Sequence, residues 1–239
     1  MSLAILIVPA AIAVVATVMG HRKTPGVRVI KTVVTALLTV IAAAAVVVAA
    51  ADSGGQGIWW FFVASLALAT VADWLLAPVD NSRTFVAGLV FFLLAYLLYA
   101  VVLIGVSAAS VAAAAPVVGA VVLALALALA LAQYRTLRTV PPGLRGAVIA
   151  YMVVATALLL GGGWYFIAGG AGGAPTGAAV PSLILAGTVF IYLSDSLIAH
   201  NLFRRPLTAE QLWIMPTYYA GQLLMTAAVI LGSGTGGSL

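Results

Sequence analysis

Two acids stand where the chain offers them almost no polar company. Asp195 lies in the run Ile191-Tyr192-Leu193-Ser194-Asp195-Ser196-Leu197-Ile198, and Asp73 lies in Val71-Ala72-Asp73-Trp74-Leu75-Leu76. An ionised side chain in hydrocarbon costs about 3 kcal/mol even on lenient insertion scales, so an acid there faces a bundle interior and often marks a working site. The two settings also match each other. Each acid is followed, one residue later, by two aliphatics and an alanine: Leu75-Leu76-Ala77 after Asp73 and Leu197-Ile198-Ala199 after Asp195. A carboxyl pair can do acid/base chemistry, carry protons, or tie helices together through Lys31 and neighbouring tyrosines. The residue types alone leave these three open, since a buried ion pair is a weak guide to function.

The elements that must hold them are transmembrane helices. The chain of 239 residues is 65% hydrophobic and 6% charged, against about 25% charged in soluble domains. Crossing the hydrocarbon takes about 20 residues. The apolar runs at 2–20, 30–51, 58–77, 84–106, 111–132, 146–167, 180–200 and 211–231 predict an all-α bundle of eight spans in one transmembrane domain, 1–239. The first run lacks a basic leader and is read as a helix, and Ser107 to Ser110 is read as a tight reversal between the fourth and fifth. With no cysteine, disulfides, thiolate nucleophiles and thiolate metal sites are excluded.

All ten basic residues fall on one side of that topology. Arg22, Lys23, Arg28 and Lys31 belong to the first loop and the helix start after it, Arg83 to the third loop, Arg135, Arg138 and Arg145 to the fifth, and Arg204 and Arg205 to the seventh. The positive-inside rule then places the odd loops in the cytoplasm and both termini outside, as in a bacterial inner membrane. This distribution accounts for the net charge of +5 without a nucleic-acid partner. The even loops are glycine-rich, as in 53–57 and 169–173, which is flexible-linker composition. Trp59, Trp60 and Trp164 toward the outer ends, with Trp74 and Trp213 toward the inner ends, read as an interfacial belt.

Depth follows from a rise of about 1.5 Å per residue, which puts Asp73 about 6 Å and Asp195 about 9 Å inside the cytoplasmic boundary. Thr217, Tyr218 and Gln222 reach a similar layer from the eighth span, Lys31 from the second, and Tyr96 and Tyr99 lie deeper in the fourth. The outer half reads as nearly free of polar side chains. A pocket open to the inner leaflet is the simplest arrangement. No Gly-x-Ser-x-Gly elbow surrounds Ser194, so a serine hydrolase is disfavoured. The two histidines, His21 and His200, both lie at boundaries without a helical pair, so no metal site is expected. The Gly-x-Gly-Asp signature of intramembrane aspartyl proteases is missing at both acids.

The segments Ala72-Asp73-Trp74-Leu75-Leu76, Gly88-Leu89-Val90-Phe91-Phe92 with Tyr99, Leu193-Ser194-Asp195-Ser196-Leu197 with Asn201 and Phe203, and Pro216-Thr217-Tyr218-Tyr219-Ala220-Gly221-Gln222-Leu223 resemble the YhhN-like family, whose animal members are lysoplasmalogenases. Order and spacing agree from about Lys31 to Gln222, and the Ser-Asp and Thr-Tyr-Tyr-x-x-Gln elements are the specific ones. Where the family usually carries a histidine in the fourth helix, this chain has Tyr96.

The resemblance implies a membrane hydrolase that cleaves the vinyl ether of a lysoplasmalogen, or a related ether lysolipid, to a fatty aldehyde and a glycerophospho-alcohol. It implies no cofactor, and the partners are a lysophospholipid and the bilayer. Asp73 and Asp195 are the expected catalytic pair. Tyr218 and Gln222 are expected to position water or glycerol oxygens, Lys31 to meet the phosphate, and Arg204 and Arg205 to attract anionic headgroups. Tyr96, Tyr99, Ser194, Asn201 and Thr217 complete the expected substrate-binding set. A proton-coupled transporter or lipid-translocating protein is the alternative, because the third and fourth spans weakly repeat in the seventh and eighth, and many transporters are built from repeats.

Overall fold

The computed structural model describes residues 1–24, 26–53, 57–76, 82–172 and 178–234. Among them there are no strands, and eight helices are long and apolar enough to cross a membrane. They are α1 (Ile7–His21, entered through a 3-10 turn at Leu3–Leu6), α2 (Val27–Ser53), α3 (Gly57–Leu76), α4 (Ser82–Ala114), α5 (Pro116–Leu137), α6 (Arg145–Gly172), α7 (Ala179–Phe203) and α8 (Gln211–Ser233). The expected spans therefore stand, with longer ends. The glycine-rich stretches fall partly on 54–56 and 173–177, and Ala77 follows the end of α3; these lie outside the described residues.

The expected reversal at Ser107–Ser110 is corrected. Alanine and serine do not stop a helix that hydrocarbon forces to satisfy its own backbone, and α4 runs on to Ala114. Ser107 is fully buried and donates its hydroxyl back to the Leu103 carbonyl at 2.5 Å. The break comes at Ala115, where Pro116 disfavours helical geometry in the residue before it.

Successive helices run antiparallel. Side-chain pairs show this for α2 and α3 (Thr39 with Thr70, Arg28 with Trp74), and for α3 and α8 (Asp73 with Tyr218, Trp59 against Gly232). The same holds for α7 and α8, where Ser194 meets Ile214 and Gly187 lies against Met225; a Cβ on Gly221 would lie 2.7 Å from Ile191 Cγ1 and 3.0 Å from the Gly187 carbonyl oxygen, so glycine permits the close approach. That close approach fixes the helix bearing Asp195 against the helix bearing Tyr218. The α1–α2, α3–α4, α5–α6 and α7–α8 connections thus gather at one end, called here the basic end. α8 is the most enclosed helix, and α5 stands at the periphery with most of its surface uncovered. Trp59, expected in the interfacial belt, is instead 2% exposed and packs 5.2 Å from Phe62 inside the core. Trp60 and Trp213 are exposed as a belt requires.

Candidate active site

A cavity of about 180 Å³ opens in the half of the bundle nearer the basic end. Its wall is largely apolar, from Leu76, Phe85, Leu89, Phe92, Leu202 and Phe203. Into it come Lys31 from α2, Asp73 from α3, Tyr96 from α4, Gln133 from α5, Tyr151 from α6, Asp195 and Ser196 from α7, and Tyr218 from α8. Acids from the third and seventh helices therefore share one space.

The two carboxyls are held differently. Asp73 is 8% exposed. Its Oδ2 accepts a 2.9 Å hydrogen bond from the Tyr218 hydroxyl. The Thr35 hydroxyl donates to Thr32 O at 3.2 Å on its own helix, and Lys31, which lines the same cavity, acts on Asp73 electrostatically. Among the described residues the partners of Asp195 are phenols and not a cation. Its Oδ1 accepts from the Tyr151 hydroxyl at 3.0 Å and from the Tyr96 hydroxyl at 3.4 Å. Its Oδ2 is buried and has no partner among the described residues. An aromatic run joins the two settings: Tyr151 lies 5.7 Å from Tyr96, Tyr96 lies 5.8 Å from Phe92, and Phe92 meets Tyr218 edge-on at 5.8 Å.

The local sequence explains the placements. Pro216 removes the N–H that would reach the Leu212 carbonyl of α8, and hydroxyls bond to the two carbonyls that follow it. Thr217 donates to Trp213 O at 2.8 Å and to Ile214 O at 2.9 Å. Ser194 donates to Ile214 O at 3.2 Å from the facing helix. Ser194 does line the cavity, but its proton is committed to this joint between α7 and α8.

Of the expected set, the structure brings Lys31, Asp73, Tyr96, Ser194, Asp195 and Tyr218 to the cavity. Four others do not line it. Thr217 serves its own helix, and Asn201 accepts the Leu207 N–H at 2.7 Å, closing the turn after α7. Tyr99 packs 5.1 Å from Phe62, with its hydroxyl buried and without a partner among the described residues. Gln222 is fully buried, with neither amide atom partnered among the described residues. Residue counting gave each helix a depth but not a facing direction, which turns by about 100° with each residue. Tyr151, Gln133 and Ser196 were missed. Tyr151 sits six residues into α6 from the basic end, the depth of Asp195, so the same arithmetic applied to the sixth span finds it. Arg204 and Arg205 are exposed just beyond Phe203 at the cavity wall.

The specific elements of the sequence, Ser194-Asp195 and Thr217-Tyr218-Tyr219 with Gln222, thus meet around one joint and one cavity. The YhhN family model matches residues 27–229, most of the chain. The chain belongs to the YhhN family. No curated protein and no solved structure matches it. In this YhhN protein, Tyr96 places a neutral hydroxyl donor on Asp195 at the position where a histidine was expected.

Proposed function

We propose that the protein is an integral membrane hydrolase that cleaves the vinyl ether of a lysoplasmalogen, or of a related ether lysolipid. Family membership and the membrane-type bundle fit a membrane hydrolase. The observation that carries the finer reading is the shared cavity with unlike carboxyls, one beside a cation and one with an oxygen that has no partner among the described residues.

A vinyl ether is opened by protonating its β-carbon, and a carboxyl in its acid form is the donor such a site can offer. Asp195 gives the proton from Oδ2. The carboxylate left behind gains from the Tyr96 and Tyr151 hydroxyls already aimed at Oδ1, because hydrogen bonds to a charged acceptor are the stronger ones. Asp73, kept as carboxylate by Lys31 and Tyr218, faces the oxocarbenium ion and takes a proton from the water that adds to it. The result is a hemiacetal, with Asp195 ionised and Asp73 protonated. Collapse reverses both transfers: Asp73 protonates the departing glycerol oxygen, Asp195 takes the hydroxyl proton, and aldehyde and alcohol leave with both acids restored. The scheme follows the logic of paired carboxyls in glycoside hydrolysis.

The cavity suits the reacting end of a single-chain lipid, with the alkyl chain leaving past Phe85, Leu202 and Phe203 toward the bilayer. Lys31 serves Asp73 first and reaches the phosphate only from that position. The basic end faces the cytoplasm in this reading. Purified protein incubated with lysoplasmalogen is expected to release a fatty aldehyde identified by mass spectrometry. Lipid flux in proteoliposomes with no breakdown product would instead establish the translocating alternative.

A further inference from the structure

The half of the bundle away from the cavity buries more polar side chains than its sequence suggests. Tyr99, Gln222, Tyr219, Trp59 and Ser233 all have side-chain nitrogen or oxygen atoms that are buried with no partner among the described residues, and each residue is at most 2% exposed. Such groups lose the hydrogen bonds they had in water, so native interiors pair them with protein or with internal water.

These atoms are not scattered. On α8, Tyr219, Gln222, Thr226 and Ser233 fall at helical spacing on one stripe. The stripe begins beside Tyr218, at the cavity, and ends at Ser233, about 22 Å farther along the axis. α3 follows it in the opposite direction, pinned by Asp73 at Tyr218 and by Trp59 at Gly232. Between these pins Ser65 comes to the level of Thr226. Both hydroxyls donate to carbonyls of their own helices, to Phe61 and Gln222 respectively, and keep lone pairs to offer. Tyr99 enters from α4 at the level of Phe62. Successive polar groups are thus separated by about one helical turn, a gap that one or two water molecules bridge.

We infer that Gln222, Tyr99 and Tyr219 hold a file of internal water molecules that runs from the closed end of the cavity along the inner stripe of α8 to Trp59 and Ser233. Such a file meets a specific need. Vinyl ether cleavage consumes one water per turnover, and a lipid seated in the apolar mouth blocks that side. The file arrives at Tyr218, hence at Asp73, the carboxylate that takes the proton from water. Its role as supply rests on the proposed hydrolysis; its existence rests only on the unpaired groups.

Radiolytic hydroxyl-radical footprinting of the full protein in nanodiscs, in heavy-oxygen water, separates the two. Side chains touching internal water are oxidised and take up the heavy oxygen despite burial. Tyr99 and Tyr219 are expected to be labelled in the parent, with labelling at least halved in Gln222→Leu. Unlabelled tyrosines in the folded parent would overturn the file. Tyr99→Phe keeps the ring and tests the same point if Gln222→Leu does not fold: a hydroxyl bound to water makes this variant melt lower than the parent, whereas a dry one makes it melt at or above the parent and refutes the proposal. Labelled tyrosines in a protein that releases no aldehyde would uphold the file and reject the hydrolysis reading instead.

Discussion

Asp73 and Asp195 come from helices whose local sequences repeat each other, yet the bundle surrounds them in opposite ways. At Asp73 the partners are the Tyr218 hydroxyl, by a hydrogen bond, and Lys31, by its charge. At Asp195 they are two phenols on one oxygen, and the other oxygen has no partner among the described residues. The first setting suits a carboxylate that takes up a proton and returns it, and the second suits an acid that gives up a proton and must be stabilised afterwards. The weak sequence repeat therefore does not mean equivalent roles. What distinguishes the two sites comes from α2, α4, α6 and α8, the helices that flank α3 and α7, and not from the repeated motifs themselves.

The largest effects are expected at the acids themselves. Asp195→Asn and Asp73→Asn should each lower aldehyde release by about 10³-fold, within the usual range for losing a general acid or base, while both variants still fold as judged by monodisperse elution and thermal melting. Lys31→Met sharpens the contrast, because it leaves Asp73 without its cation. A charge stripped of its buried partner costs about 3 kcal/mol, so the melting temperature should fall, and adding Asp73→Asn should recover most of it without recovering activity. Asp195→Asn in the same Lys31→Met background should recover nothing.

Smaller differences follow at the phenols. Tyr151→Phe removes one of the two donors to Asp195 Oδ1; losing about 1 kcal/mol there corresponds to about fivefold in kcat. Tyr218→Phe should cost less, since the Lys31 charge still acts on Asp73. At the bottom of the scale, Asn201→Ala should lose about 1 kcal/mol of stability with its bond to the Leu207 N–H and leave kcat/KM as in the parent. A change in substrate selectivity there would return Asn201 to the binding set.

The spans and the clustering of basic residues were legible in the sequence because hydrocarbon allows a chain few choices: about 20 apolar residues make a helix, and Lys and Arg collect at its ends. The layer of the site was legible too, since depth accumulates steadily along a helix. Facing direction was not. Tyr218 and Gln222 share a helix stripe, yet Tyr218 lines the cavity and Gln222 lies a turn beyond it among other helices. Trp59 read as an anchor because tryptophan near a helix end usually is one; its burial depends on Gly232, which leaves room for the indole from a helix far along the chain. Tyr151 carries no local motif: its depth could be counted from the sequence, but its bond to Asp195 appears only when α6 is laid against α4 and α7.

The most direct test of unlike carboxyls is turnover of lysoplasmalogen in deuterium oxide with mass analysis of the trapped aldehyde, alongside authentic aldehyde as an exchange control. Proton delivery to the β-carbon by Asp195 predicts one deuterium on the second carbon of the aldehyde from the parent, and no enzymatic product from Asp195→Asn. Singly deuterated aldehyde formed by Asp195→Asn at the parent's rate would contradict the assignment.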